Sequence, residues 1–198
     1  MKSSFAMAAL VVGCTAGAAG AQAPSQQVSM EEMQARMREA ATPGPHHRAL
    51  ARFIGTWDVQ ISMVMPGVPV QKSAATAEYA WLLPNRWASQ RIKGKLMGLD
   101  YDSFTILGFD NYAKNHVAVT VSSLDTAMTM LRGLVVDPSS KVTALYGTLD
   151  EYTTGELHKP LKTVTRVVDD SRHVMEVWDL GIGDAGAKVL EFEFRRRR

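Results

Sequence analysis

An all-β fold, built as an antiparallel up-and-down barrel of about ten strands, is predicted by three features of the sequence. Beyond Gly55 the apolar residues recur at period two and almost never at helical spacing. The alternating runs are joined by short turns, with no helix long enough for a parallel crossover, so neighbouring strands must pair antiparallel. A long meander with one buried face also does best by closing on itself, which removes both exposed edges. A two-sheet sandwich is the architectural alternative. A closed barrel of this size has room for one small ligand or for a plug of side chains.

The chain begins with a targeting segment, residues 1–21. Met1-Lys2 supplies a positive start, Phe5 to Gly13 is apolar, and Ala19-Gly20-Ala21 has the small-x-small pattern of a signal-peptidase site. Ala21-Gln22-Ala23 has it too, but Pro24 would directly follow that cut. The apolar run is too short for a bilayer anchor, so the mature chain is expected to be exported, to a bacterial periplasm. Val11-Val12-Gly13-Cys14 resembles a lipobox and keeps open a lipoprotein anchored through Cys14, the one covalent anchor to a membrane. As Cys14 is the only cysteine, no internal disulfide can form.

Residues 22–45 read as a linker holding a short helix. Ser29 is placed to cap it, Glu31 and Glu32 suit its first turn, and Met30, Met33 and Met37 share one face. That face either rests loosely on the domain or meets a membrane or partner. Pro43-Gly44-Pro45 stops the helix. The barrel domain, 46–198, opens with a helical turn from His46 to Phe53 that carries Leu50, Phe53 and Ile54 on one side and closes one end of the barrel. Gly55 ends the turn, and Trp57 is placed to plug that end.

In the first strand Trp57, Val59, Ile61 and Met63 alternate with polar residues, and Pro66-Gly67 turns the chain. Ala75, Ala77, Tyr79 and Trp81 form the apolar side of the second. Further strands are expected near 86–93, 102–110, 116–122 and 127–135. After the turn Asp137-Pro138-Ser139-Ser140 come strands near 142–152, 161–168, 173–180 and 188–195. With 198 residues one domain suffices, and a net charge of +2 argues against nucleic-acid binding by a broad basic face. The pI of 8.7 leans on the run Arg195 to Arg198.

The Gly55-Thr56-Trp57 opening resembles the Gly-x-Trp signature of lipocalin and calycin barrels. More of the chain is similar to one group, the uncharacterised bacterial DUF1579 family. The matching pieces are His47-Arg48-Ala49-Leu50, Pro66-Gly67, Gly108-Phe109-Asp110 before Asn111-Tyr112, Leu131-Arg132-Gly133, and Lys162-Thr163-Val164-Thr165-Arg166. The resemblance implies a calycin-like barrel and no particular reaction. The long C-terminal helix of a standard lipocalin is absent from the pattern. In such barrels an arginine at the end of the last strand stacks on the Gly-x-Trp indole. Parity with Phe192 and Phe194 gives that role to Arg196, the alternative being a solvated arginine tail.

No catalytic constellation and no cofactor site stand out. His46, His47, His116, His158 and His173 lack metal-ligand spacing, and no Gly-x-Ser-x-Gly elbow is present. His116, opposite in parity to Val117, Val119 and Val121, is expected to face water or a second wall, and Asp110 to make an Asx-type turn. Met63-Val64-Met65 and Met128-Thr129-Met130 pair thioethers on strand faces, a pattern that suits Cu(I) or, more simply, core packing. The side chains expected to line a lumen site are Met63, Tyr79, Trp81, Met130, Tyr146 and Trp178, with Arg91 or Glu176 orienting the ligand. Three roles follow: binding of a small, largely apolar molecule, acid-base catalysis of lyase, isomerase or esterase type in the same cavity, or a packed barrel acting as an envelope interaction module.

Overall fold

A computed structural model describes residues 28–64, 67–134 and 141–198. The targeting segment with Cys14, Met65, Pro66, Val135 and the turn at Asp137 to Ser140 lie outside these described residues. Helix α1 (Met30–Ala41) is followed by α2 (Pro45–Ala49), a 3-10 turn (Leu50–Arg52) and ten strands. The strands are β1 (Gly55–Met63), β2 (Gln71–Leu83), β3 (Trp87–Leu96), β4 (Leu99–Asp110), β5 (Asn115–Ser122), β6 (Thr129–Gly133), β7 (Val142–Glu151), β8 (Glu156–Asp169), β9 (Arg172–Asp179) and β10 (Ala187–Arg196). Each pairs antiparallel with its sequence neighbours, and β10 pairs with β1 to close the barrel.

The turns are tight where their chemistry allows it. Leu96 and Leu99 are paired across a two-residue turn in which Met97 and Gly98 both have positive φ, at 54° and 79°. This primed geometry matches the twist of the flanking strands. Asp110 ends β4 by accepting backbone N–H bonds from Tyr112 and Ala113 at 2.8 and 2.9 Å. Strand β8 starts at Glu156, earlier than its apolar pattern suggests, because the polar stretch before Leu161 still pairs with β7.

The core sits on the side of the barrel where β1, β2, β3 and β10 meet. Trp57, Val59, Ile61, Ala75, Ala77, Tyr79, Ile92, Phe192 and Phe194 are buried there in one cluster, against which Phe53 and Ile54 pack from the preceding turn. Helix α2 and the 3-10 turn thus floor one end of the barrel. Helix α1 buries nothing. Its N-terminus is capped by the Ser29 hydroxyl, which accepts from the Glu32 N–H at 3.1 Å, and its methionine face is exposed. Its C-terminal end is tied to the β4–β5 turn, where Asn111 Nδ2 donates to the carbonyls of Ala40 and Thr42 at 2.9 and 2.8 Å.

Candidate functional site

The floor is organised around Trp57. Its indole N–H donates to the Phe53 carbonyl at 2.7 Å, and the Arg196 guanidinium lies over the ring, 4.2 Å from its centre. Arg196 also donates to the carbonyls of Ile54 (2.8 Å), Asp170 (3.0 Å) and Arg52. Gly55 is required here. Its φ is +129°, and a Cβ would stand 2.8 Å from Arg196 Nη1. The next arginine is held as well, Arg197 donating to Asp58 at 2.6 Å.

Above the indole, Gln90 Nε2 donates to the Tyr79 hydroxyl, which lies 3.2 Å from His173 Nε2. The Tyr79 hydroxyl thus joins an amide to an imidazole within the buried cluster. Burial first, and the Arg196 charge second, push His173 down to about 3, while burial raises Tyr79 well above the ordinary tyrosine value. His173 is stacked on Phe194 at 4.2 Å and edge-on to Trp57 at 4.5 Å. Such an imidazole is packing, not a base poised near neutrality.

A second histidine group lies beside the floor. His46 stacks on Phe109 at 4.3 Å, with His116 edge-on to both rings, and His47 is buried, its Nδ1 accepting the Gly44 N–H at 3.0 Å. Burial lowers His116 to about 4, helped by His46 and His47, and it lowers His47 as well. His116 therefore points into the barrel rather than toward water. The expected opposition to Val117, Val119 and Val121 holds, but it is the valines that lie on the outside. Among the described residues no group of three His, Cys, Asp or Glu side chains could hold a metal ion.

The lumen wall has two characters. Cross-strand register carries the inward direction of Trp57 and Ala77 round to Ile92, Ser103 and Ser122. In the same way Met63, Leu190, Val177, Thr163 and Leu145 face in together. So do Thr105 and Thr120, their hydroxyls 2.9 Å apart, and the pair Thr143 and Thr165. The half built from β1–β3 and β10 is apolar, and the half from β4 to β8 is rich in hydroxyls. Thr120, Thr143, Leu145, Thr165, Met175, Val177 and Leu190 point inward yet remain only half-buried. Of these, Met175, Val177 and Leu190 pack against the core cluster with part of the side chain and leave the rest open.

The mouth, opposite the floor, carries a charged pair that the sequence reading did not single out. Lys159 Nζ lies 2.7 Å from Asp179 and 3.1 Å from Glu156, with Lys159 and Asp179 nearly buried at 11% and 8% exposure. Both face inward, since Leu161 pairs with Asp179 and Lys159 lies two residues from Leu161. Their signal was the parity of Lys159 with Leu161 and Thr163 on β8. The two carboxylates raise Lys159 above the ordinary lysine value.

Of the expected lumen residues, Met63, Tyr79 and Trp81 face inward. Arg91, Met130, Tyr146, Glu176 and Trp178 do not, and their assignment to the lumen is corrected. Arg91 forks onto Asp102 at 2.9 and 2.7 Å on the outer wall. Met130 and Tyr146 are about half exposed, at 47% and 53%, because Leu131 and Leu145 take the inward positions beside them. Glu176 accepts from the Trp178 indole at 3.2 Å and lies 3.5 Å from Lys188, while Lys162 sits over the Trp178 ring at 4.7 Å. All four are on the outside because His173, Met175, Val177 and Asp179 occupy the inner face of β9. Two shallow hollows lie at the ends of the barrel, one of about 330 Å³ beside Arg48, Asp169 and Asp170, the other of about 230 Å³ at Asp125, Asp150 and Tyr152. Neither is lined by the residues expected to hold a ligand.

Comparison with known proteins bears on the fold and the family. The crystal structure of Rv2717c from M. tuberculosis superposes with a TM-score of 0.54 at 14% identity, over 79% of this chain and all of that one, which shows a shared fold. A redesigned β-barrel aligns over 76% of this chain and 96% of its own at 12% identity, with a TM-score of only 0.38. No curated protein matches the sequence. The family model described as "Protein of unknown function (DUF1579)" matches residues 42–196, the plug, all ten strands and the clasping arginine, and the chain belongs to that family.

Proposed function

We propose that this protein is an exported receptacle that binds a small, largely apolar molecule inside its barrel. One observation carries the reading: the inward-facing Leu145, Met175, Val177 and Leu190 keep solvent contact in the middle of a closed sheet. A barrel serving only as a scaffold gains by filling such space, since each unfilled methyl-sized gap costs about 1 kcal/mol. A hollow, mostly apolar interior with a few polar groups is the usual form of a small-molecule site. Export is supported by the apolar and small-residue pattern of residues 1–21.

The test is to fill the space. Wild-type protein is titrated with the neutral apolar dye Nile red, whose emission rises on leaving water, and Val177→Trp is titrated beside it. The expected result is saturable binding to the wild type and a loss of at least about tenfold in affinity for the variant. Its melting temperature should be unchanged or higher, because an indole placed in empty space adds contacts. Equal binding by both proteins would put the dye on the outer wall and sink the reading. The mass of the mature protein from its native host checks export, with a cut after Ala21 expected.

A further inference from the structure

The charges and hydroxyls along the lumen point to the chemical class of its occupant. Along the described strands the charged side chains facing inward are Lys159, Asp179 and Arg196, with Glu156 and its cross-strand partner Glu151 at the rim. Arg196 is spent at the floor on three carbonyls and the far face of Trp57. Lys159 is held by two carboxylates at once. No inward cation is left to meet an anion, and a carboxylate entering this lumen would lose its hydration without a partner, a loss of several kcal/mol. The two inward histidines offer no charge either, being buried among aromatic rings.

Neutral hydrogen-bonding groups meet the opposite reception. Thr143, Thr163 and Thr165 face the lumen on adjacent strands β7 and β8, and none of their hydroxyls makes a side-chain hydrogen bond among the described residues. Thr120 and Thr129 continue this wall on β5 and β6. Across from it stand Ile61, Met63, Leu190 and Phe192, which are purely apolar. A ligand matching both walls has one apolar edge and one edge of hydroxyl or carbonyl groups. We propose that the lumen selects an electrically neutral amphiphile of this kind and discriminates against a free carboxylate of the same length. The proposal rests on the ligand-binding reading above and adds the ligand's charge and polarity to it.

The full-length protein is titrated at neutral pH, below micelle formation, with monolaurin and with laurate, each displacing Nile red. They share one acyl chain, and differ in that one ends in a neutral glycerol ester and the other in a carboxylate. Monolaurin is expected to displace the dye at a concentration at least about tenfold lower. The double variant Thr143→Val/Thr165→Val should shrink this advantage to within about threefold, the two ligands being compared on the same variant, since about one kcal/mol is lost per hydrogen bond. Asp179→Asn with Glu156→Gln should tighten laurate binding by freeing Lys159 from both of its carboxylates. Should that variant fold poorly, Lys159→Met/Asp179→Leu replaces the pair with apolar groups and should leave laurate weak. Laurate binding as tightly as monolaurin, or an unchanged preference in the threonine double variant, overturns the proposal. Failure of wild type to bind Nile red at all overturns the receptacle itself, and the neutral preference with it.

Discussion

Arg196 shows how much one side chain can hold when its geometry is fixed. A guanidinium over an indole contributes about 0.5–2 kcal/mol, and its three bonds to carbonyls add roughly 1 kcal/mol each. Arg196→Ala is therefore expected to lower the unfolding free energy by about 3–5 kcal/mol, read from the shift of a urea midpoint at constant slope. Arg196→Lys should recover less than half, because an ammonium cannot fork to carbonyls on both sides of the ring. Gly55→Ala should be as damaging as removing the arginine, for a φ of +129° strains any side chain and the added methyl would stand 2.8 Å from Nη1. Little effect from both substitutions at 196 would show that the floor is held by the aromatic cluster alone.

At the scale of elements, the floor is the part that should respond to acid. Protonation of His116 puts a charge among Phe109, His46 and His47, with the Arg86 charge near His47 and no carboxylate bonded to any of the three rings. The folded protein holds His47, His116 and His173 neutral, so as pH falls below about 6.5 the unfolded chain takes up protons first. Stability is thus complete above the unfolded value and declines until His116 charges at about 4 and His173 at about 3. Melting temperature measured from pH 7 to 4 should fall for the wild type and fall less for His116→Phe. An identical decline in both proteins would assign the effect to carboxylates elsewhere.

This scale also shows what could be read from sequence. Period-two alternation located every strand and placed Trp57, Tyr79, Phe192 and Phe194 inside, because their alternating partners are charged or polar. It failed to give the side for β5, β6 and β9, where both faces are apolar. By register Val117, Val119 and Met130 are on the outer face and Ala118 and Leu131 on the inner one, though Val117 is as buried as Ala118, and Trp178 lies outside while Val177 lies inside. Register around the ring settles such choices, and register is a property of ten strands together, not of one. The Lys159–Asp179 pair escaped notice for a related reason: its members come from β8 and β9, 20 residues apart, and only the hairpin brings them face to face.

For the whole molecule, the ring of strands and its floor form the stable unit, and α1 is an appendage. Its residues are exposed throughout, and among the described residues Asn111 is what ties its end to the barrel. Deleting the segment through Ala41 should move the melting temperature by no more than about 2–3 °C, since α1 buries nothing. A drop of 10 °C would mean that the methionine face finds a surface to cover in solution.

The closing seam joins Trp57 to Arg196 and Met63 to Leu190, the most remote pairings in the chain. Hairpins between consecutive strands form early because their ends are close, whereas this join must wait for everything between. Until it is made, the molecule is a curled ribbon with two raw margins, each able to zip onto another copy. Crowding during refolding is then the hazard, and it passes once the first and last strands have met.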